Sequence, residues 1–181
     1  MGKKEKKEDK IKKILLLGLD NAGKSSIYLM LSKNANLLSY CSLHPTQGLD
    51  IKTLDDAGDS YSIWDFGGQA EYRAQYLEKM QEHLTGVDKI IYVIDVQDVS
   101  RYGESLAYLQ DITNYIKQEK QNFVFSIFLH KFDKNLDGNA QFRDEAIKEN
   151  LVDKIDEILG DVYHEIFKTT IFTLFQKTKM V

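Results

Sequence analysis

The sequence is poor in cysteine, proline and arginine, and it lacks any long apolar run. Its 181 residues include one cysteine, Cys41, and one proline, Pro45. A single cysteine excludes an intrachain disulfide and a cysteine-based zinc site, and it suits a reducing, cytoplasmic setting. No apolar stretch approaches the roughly 20 residues of a membrane-spanning helix, and no secretory signal pattern is present. We therefore expect a soluble, cytoplasmic globular protein.

The charge is unevenly distributed along the chain. The formal net charge is −4, but residues 1–13 hold seven lysines against three acidic residues, a net +4, so the remainder carries −8. We interpret residues 1–10 as a disordered, solvated tail. The alternative is weak electrostatic contact with anionic lipid, which would place the protein peripherally at membranes. Because the body is acidic, nucleic-acid binding is not expected.

A phosphate-binding motif lies near the start of the chain. The apolar run 14–17 predicts a buried strand, and Gly18–Ser25 then matches the pattern G-x-x-x-x-G-K-[ST] in full. Its glycines allow backbone N–H groups to converge, and the helix that begins near Lys24 adds the positive end of its dipole. Lys24 can reach the outer phosphates, and the Ser25 hydroxyl can bind Mg²⁺. The motif therefore predicts a phosphate site.

Strands and helices alternate along the rest of the chain. The pattern predicts further strands at 49–54, 61–64, 89–95, 123–129 and 165–172, helices at 24–33, 99–120 and 140–159, a helical stretch that ends near 84, and irregular structure at 34–48. The turn residues 55–59 predict an antiparallel hairpin. This order is typical of one doubly wound α/β domain, with ligand loops at the carboxyl ends of the strands. We assign residues 11–181 to that domain.

Four separated motifs resemble those of one family. They are GLDNAGKSS at 18–26, PTQG at 45–48, WDFGGQ at 64–69 and HKFD at 130–133. Together they resemble the small GTPases of the Ras superfamily, most closely the Arf and Arf-like family. The form HKFD, where that family has N-K-x-D, is more similar to Rag GTPases and archaeal relatives of Arf. The resemblance implies a P-loop NTPase fold with a Ras-like, mixed six-stranded sheet, one antiparallel strand and helices on both faces.

The resemblance implies a site for GTP or GDP with Mg²⁺. Thr46 would bind the metal and sense the γ-phosphate, Asp65 would hold the metal together with Ser25, and Gln69 would orient the attacking water. The Gly68 N–H can approach a γ-oxygen because glycine has no side chain. The residues assigned to the nucleotide are Asp20, Asn21, Ala22, Gly23, Lys24, Ser25, Ser26, Thr46, Gly68, His130, Lys131, Asp133, Thr170 and Ile171, and those assigned to catalysis are Gln69, Lys24 and Thr46.

Guanine selectivity is expected to rest on Asp133. Its carboxylate would accept from N1–H and the exocyclic amine of guanine, whereas adenine presents the wrong pattern. The stem of Lys131 would lie over the base, and Thr170 and Ile171 fall where the last base-contacting loop should be. His130 departs from the family's asparagine, but a neutral imidazole can still donate one hydrogen bond and accept another. We expect the base loop to survive, with weaker binding at acid pH.

Hydrolysis is expected to be slow without a partner. Asp20 places a charge in the phosphate loop, as in the slowly hydrolysing Arf family, and Arg73, Arg101 and Arg143 are the only arginines. We expect an activating protein to supply an arginine in trans, with exchange factor, activator and effector binding through 40–50 and 66–80. The alternative function is a non-cycling GTP- or GDP-bound module in a Rag-like dimeric assembly. After residue 172 too few residues remain for the family's full last helix, which would be short or missing.

Overall fold

The computed structural model describes residues 11–32, 37–56, 58–118, 123–136 and 138–171. Within these ranges the chain forms a six-stranded sheet with helices on both faces. The strands are β1 (Lys12–Leu17), β2 (Leu49–Asp56), β3 (Asp59–Phe66), β4 (Val87–Asp95), β5 (Val124–His130) and β6 (His164–Lys168). The helices are α1 (Lys24–Leu31), α2 (Leu37–Cys41), α3 (Ala70–Glu78), α4 (Met80–Leu84), α5 (Tyr102–Ile116), α6 (Asp144–Ile147) and α7 (Asp153–Leu159).

The strand order is β2-β3-β1-β4-β5-β6. Only β2 and β3 pair antiparallel, as the hairpin prediction required, and β1 pairs parallel with β3 and β4. The five parallel strands β1, β3, β4, β5 and β6 therefore all end at one edge of the sheet. The predicted Ras-like mixed sheet is confirmed, and the loops that carry the sequence motifs emerge along this edge.

The core is divided by the sheet into two apolar layers. Successive side chains of a strand face opposite sides, and the buried run of β1 places Leu15 and Leu17 in one layer and Leu16 in the other. The larger layer packs α3, α4, α5 and α7 against the sheet, and the smaller layer packs α1 through Ile27. Because both faces are covered, the central strands are apolar throughout rather than alternating.

Several helices are shorter than predicted. The segment 34–48 is not wholly irregular, because it contains α2. The helical stretch before residue 84 breaks between α3 and α4 at Lys79, whose φ of −113° and ψ of 16° are not helical. The helix predicted from residue 99 begins with a 3₁₀ turn, Val99–Arg101, and continues as α5.

The predicted helix 140–159 is a composite. It consists of a 3₁₀ turn (Ala140–Phe142), α6, a π-helical segment (Lys148–Val152) and α7. Arg143 adopts extended backbone angles and separates the 3₁₀ turn from α6. Gly160, with a φ of 57°, follows α7 as the predicted end.

The last predicted strand also ends early. β6 ends at Lys168, and the next residue still contacts β5 and the loop that follows it: the Thr169 N–H donates to Leu129 O at 2.9 Å, and the Phe132 N–H donates to Thr169 O at 3.0 Å. The second bond joins the segment after β6 to the loop that follows β5. The lysine-rich residues 1–10 and the C-terminal residues 172–181 lie outside the described residues. Within the described ranges, no helix combines the length and apolar character needed to cross a membrane.

Candidate functional site

The loop between β1 and α1 forms a backbone cradle. A Cβ on Gly18, which has a φ of 137°, would overlap the carbonyl oxygen of Val93 in the neighbouring strand. Gly23 has a φ of 97° and Asn21 a φ of 58°, both in the left-handed region that curls the chain. The loop therefore bends closely around the N-terminal end of α1, where unpaired N–H groups favour an anion.

Lys24 is a buried cation in this cradle. The residue is 5% exposed, and its Nζ donates to Gly18 O at 3.0 Å and to Leu19 O at 2.7 Å. Burial lowers the pKa of Lys24 to about 8, although the negative charges of Asp65 and Asp20 oppose this shift. A buried ammonium group without a direct carboxylate partner is energetically unfavourable, so a bound anion would stabilise Lys24 strongly.

Three predicted metal ligands converge beside Lys24. The Ser25 hydroxyl donates to Asp65 Oδ2 at 2.5 Å, and the Thr46 hydroxyl donates to the same oxygen at 3.1 Å. Ser25 Oγ and Thr46 Oγ1 lie 2.9 Å apart. Asp65 is fully buried, and its Oδ1 has no hydrogen-bond partner within the described part of the chain. Two hydroxyls and a carboxylate are hard oxygen donors, so this set fits Mg²⁺.

The segment after β3 closes over the phosphate loop. A Cβ on Gly68 would overlap the backbone of Leu19 and Asp20, and a Cβ on Gly67 would overlap Thr46 O. Gln69 precedes α3, and its Oε1 is buried without a partner among the described residues. A cavity of about 350 Å³ lies between these segments, and its lining includes Asp20, Asn21, Gly23, Lys24, Ser25, Ser26, Thr46, Gly68 and Gln69.

A second group of motif residues lies at the ends of β5 and β6. Asp133 Oδ1 accepts a hydrogen bond from the Thr170 hydroxyl, and His130 Nδ1 lies 2.9 Å from Thr169 Oγ1. His130 is 3% exposed, and burial followed by the charge of Lys131 lowers its pKa. The loop at 169–171 thus contacts the HKFD segment. Thr169, which the sequence analysis did not single out, contacts His130.

His130 and Lys131 join this group to the phosphate loop. A Cβ on Gly23 would come within 2.6 Å of His130 Cδ2, so the imidazole lies directly against that glycine. Lys131 has a φ of 61°, and its Nζ donates to Asn21 O and to Asp95 Oδ2, both at 2.7 Å. The phosphate cradle and the HKFD segment therefore form one continuous site.

The remaining predicted residues occupy less direct positions. Ala22 is buried in the smaller apolar layer, so its side chain faces away from the cavity and only its backbone belongs to the cradle. Ile171 packs against the same layer and lines an apolar groove next to Thr170. Within the described part of the chain Arg73 makes no hydrogen bond to the cradle; its guanidinium donates to Glu104 and lies 5.2 Å from the Tyr108 ring centre.

Sequence reasoning missed three polar residues around the site. Asp95, at the end of β4, accepts from Lys131. Gln97, in the next turn, donates from Nε2 to Asp133 Oδ2 at 2.8 Å. Arg101 donates from Nη2 to Asp20 Oδ1 at 2.5 Å. Their place in the sequence was the available signal. Asp95 ends the apolar strand β4, Gln97 and Arg101 follow it closely, and ligands of such sheets bind at the carboxyl ends of the strands.

The comparisons with known proteins agree with this arrangement. A family model described as the Gtr1/RagA G protein conserved region matches residues 13–176. The chain is 36% identical over 129 residues to ADP-ribosylation factor-like protein 3 of Chlamydomonas reinhardtii, covering 71% of this chain and 67% of that protein.

Two solved structures share the fold at low sequence identity. The small GTPase Arl6 (BBS3) of Trypanosoma brucei, with a bound nucleotide analogue, has a TM-score of 0.68 at 18% identity and covers 89% of this chain and 87% of its own. The mammalian SRP receptor has a TM-score of 0.67 at 14% identity, covering 88% and 91%.

Proposed function

Since the chain belongs to the family of small Arf-like GTPases, with a Gtr1/RagA-type G domain, we propose that it is a molecular switch that binds GTP or GDP with Mg²⁺ and hydrolyses GTP slowly. The observation that carries the proposal is the meeting of Ser25, Thr46 and Asp65. These residues come from the phosphate loop, the segment before β2 and the end of β3. A group that contacts all three can couple the conformations of three separate segments.

Magnesium, when bound, would neutralise charge on the β- and γ-phosphates. Ser25 and Thr46 would offer their hydroxyl oxygens to it, and the buried carboxylate of Asp65 would balance its charge. Thr46 precedes β2, so its contact would draw residues 40–50 towards the cradle. Release of that contact after hydrolysis would free the segment, which is the elementary step of a switch.

Gln69 supports hydrolysis as the residue that would orient the attacking water. Its side-chain oxygen is buried at the rim of the cavity and has no partner among the described residues. The two arginines nearest the cradle are already engaged, Arg73 with Glu104 and Arg101 with Asp20. We therefore expect slow turnover that is accelerated by an arginine from an activating protein.

Guanine selectivity is assigned to Asp133. Its carboxylate is held by side chains from two loops, and each oxygen retains a further lone pair for the N1–H and exocyclic amine of guanine. His130, Lys131, Thr170 and the backbone of Ile171 would complete the base loop. Exchange factor, activator and effector would bind through residues 40–50 and 66–80, which contribute residues 43–46 and 67–69 to the lining of the cavity.

A second candidate function is a non-cycling nucleotide-bound module within a Rag-like dimeric assembly. The histidine at position 130 and the match to a Gtr1/RagA model favour it. The buried water-positioning side chain of Gln69 favours a cycling enzyme instead, because a module that never hydrolyses GTP does not need one.

Single-turnover hydrolysis separates the two functions. We expect purified protein to retain a guanine nucleotide and to convert bound GTP to GDP slowly. Gln69→Leu should bind GTP but lose turnover at least about tenfold, whereas Gln118→Leu, an exposed change just after α5, should behave as wild type. Turnover by neither wild type nor variant, even with candidate activators, would support the non-cycling module.

A second experiment tests the base assignment. Asp133→Asn replaces an acceptor by a donor and should shift preference from guanine towards xanthine nucleotides. Asp161→Asn, at an exposed position, serves as the control. Unchanged GTP preference in Asp133→Asn would show that the base-binding assignment is wrong, and purified protein that binds ATP but not GTP would overturn the proposed function itself.

A further inference from the structure

Gln97 bridges the two functional residues of the base loop. Its Nε2 donates to Lys131 O at 2.7 Å and to Asp133 Oδ2 at 2.8 Å. Its backbone N–H donates to Asp95 Oδ1 at 2.9 Å. The turn after β4 therefore holds the loop after β5 through one side-chain amide.

The orientation of this amide is determined by its partners. A carbonyl oxygen and a carboxylate can only accept, so both hydrogens of Nε2 are used as donors. The two bonds also fix the side-chain torsion angles of Gln97, although the residue itself is exposed. A flipped amide would place its oxygen against two acceptors, so the donor arrangement is strongly favoured.

Asp133 is thereby held from two sides. Gln97 donates to Oδ2, and the Thr170 hydroxyl donates to Oδ1. Two donors on opposite oxygens define the plane of a carboxylate, and both oxygens keep a lone pair for a ligand. Guanine presents two parallel donors, N1–H and the exocyclic amine, in the plane of its ring. Both hydrogen bonds can be short and straight only if the Asp133 carboxylate lies in the same plane, so rotation of the carboxylate weakens them.

The bond to Lys131 O has a separate consequence. Lys131 has a φ of 61°, a conformation that costs free energy in a residue other than glycine. Its carbonyl oxygen accepts from Gln97, and the Asp133 N–H donates to the same oxygen at 2.9 Å. Gln97 therefore helps to stabilise the backbone turn that aims Asp133.

We propose that Gln97 is a positioning residue for guanine selection, acting through the carboxylate of Asp133. This inference rests on the proposed guanine-nucleotide function and adds a residue to it. Gln97 lies two residues after β4 and outside the four motifs. Its contribution is to hold the Asp133 carboxylate in the orientation that lets both oxygens accept from guanine, one from N1–H and one from the exocyclic amine.

The test compares GDP with IDP, the diphosphate of inosine, whose base lacks the exocyclic amine. Wild-type protein should bind GDP much more tightly than IDP, because the second contact to Asp133 is lost in IDP. In Gln97→Leu the ratio of the IDP dissociation constant to the GDP dissociation constant should fall about tenfold. Without Gln97 the carboxylate of Asp133 can rotate, so its hydrogen bond to the exocyclic amine contributes less to GDP binding. Competition against a fluorescent GDP analogue measures both constants.

Two further variants make the test specific. Gln97→Glu keeps the size of the side chain but removes the donor and places a carboxylate next to Asp133, so it should lower the ratio at least as far as Gln97→Leu. Gln110→Leu removes a side-chain amide on α5 whose hydrogen-bond partner among the described residues is Asn114, and it should retain the wild-type ratio.

The possible outcomes separate the inference from the function on which it rests. A wild-type ratio in both Gln97 variants overturns the positioning role, and so does an equal loss of affinity for GDP and IDP, which a merely structural role would produce. Wild-type protein that does not prefer GDP to ADP would instead overturn the proposed function. A lowered ratio in both Gln97 variants, with Gln110→Leu unchanged, supports the inference.

Discussion

Arg101 donates from Nη2 to Asp20 Oδ1 at 2.5 Å and so joins the turn before α5 to the phosphate loop. The same guanidinium donates from Nε to Glu104 Oε2 at 3.0 Å, and Glu104 also accepts from Arg73 on α3. The bond to Asp20 raises the pKa of Arg101, and the bond from Arg101 lowers the pKa of Glu104. A series of ion pairs thus connects the phosphate loop to α3, the helix after Gln69.

Removal of the Arg101 charge should weaken nucleotide binding. In Arg101→Leu the carboxylate of Asp20 loses its partner and adds uncompensated negative charge beside the phosphates. Both side chains are partly exposed, so we expect a modest loss of GTP affinity of about twofold to fivefold at low salt. The loss should shrink as ionic strength rises. Arg143→Leu, an exposed arginine elsewhere, is the control, and equal affinities of the two variants would contradict the prediction.

Gly68→Ala should disrupt the contact between the segment after β3 and the phosphate loop. The added methyl group would overlap the backbone of Leu19 and Asp20, and neither can move as a flexible side chain would. We expect a destabilisation of about 1–3 kcal/mol in urea unfolding, together with a loss of GTP affinity. Gly103→Ala, where a Cβ meets nothing within 4 Å, should cause no such loss. Wild-type stability and GTP binding in Gly68→Ala would contradict the close approach.

The strands and the phosphate loop could be predicted because their signals are local. The apolar runs of β1, β4 and β5 and the spacing from Gly18 to Ser25 each lie within one short segment. The convergence of Ser25, Thr46 and Asp65 followed from motif resemblance, since these residues are far apart in sequence.

The contacts of Gln97 and Arg101 with the site residues had no such local signal. Gln97 and Arg101 act through residues more than 30 positions away, and only the strand order brings those loops together. Similarly, the break in the predicted helix 140–159 occurs at Arg143 without a glycine or proline. The Asn139 side chain accepts from the Gln141 N–H at 3.0 Å, which caps a separate turn before α6. Asparagine was thus the available signal for the start of that turn, whereas the break at Arg143 had none.

Acid should destabilise the fold through His130, which is buried, and His83, which is half-buried. Burial lowers the pKa of both His130 and His83 from the ordinary value of 6.5. As the pH falls, the unfolded chain therefore binds protons before the folded chain does. The free energy of unfolding should be highest above about pH 6.5 and should fall as the pH drops through the folded-state pKa.

His130→Asn isolates one contribution to this pH dependence. The free energy of unfolding, measured in urea between pH 7.5 and 5, should fall less steeply in the variant than in wild type, while the slope caused by His83 remains. The same variant should lose the weakening of GDP affinity at acid pH that we expect for wild type. Identical pH profiles of stability and of affinity in the two proteins would show that His130 does not titrate in this range.

Asp95 should be energetically coupled to Lys131. Its side chain is 12% exposed, Oδ2 accepts from Lys131 Nζ at 2.7 Å, and that ammonium also donates to Asn21 O in the phosphate loop. Asp95→Asn retains an oxygen for the Gln97 N–H but removes the charge opposite Lys131, so we expect a destabilisation of about 1.5–3 kcal/mol in urea unfolding and faster GDP release. Lys131→Met alone should have a similar effect, and the double variant should be less destabilised than the sum of the two, with a coupling of about 1 kcal/mol or more. Because Asp161→Asn changes an exposed carboxylate, it should add independently to Lys131→Met; additive effects of Asp95→Asn as well would mean that the ion pair does not hold the two loops together.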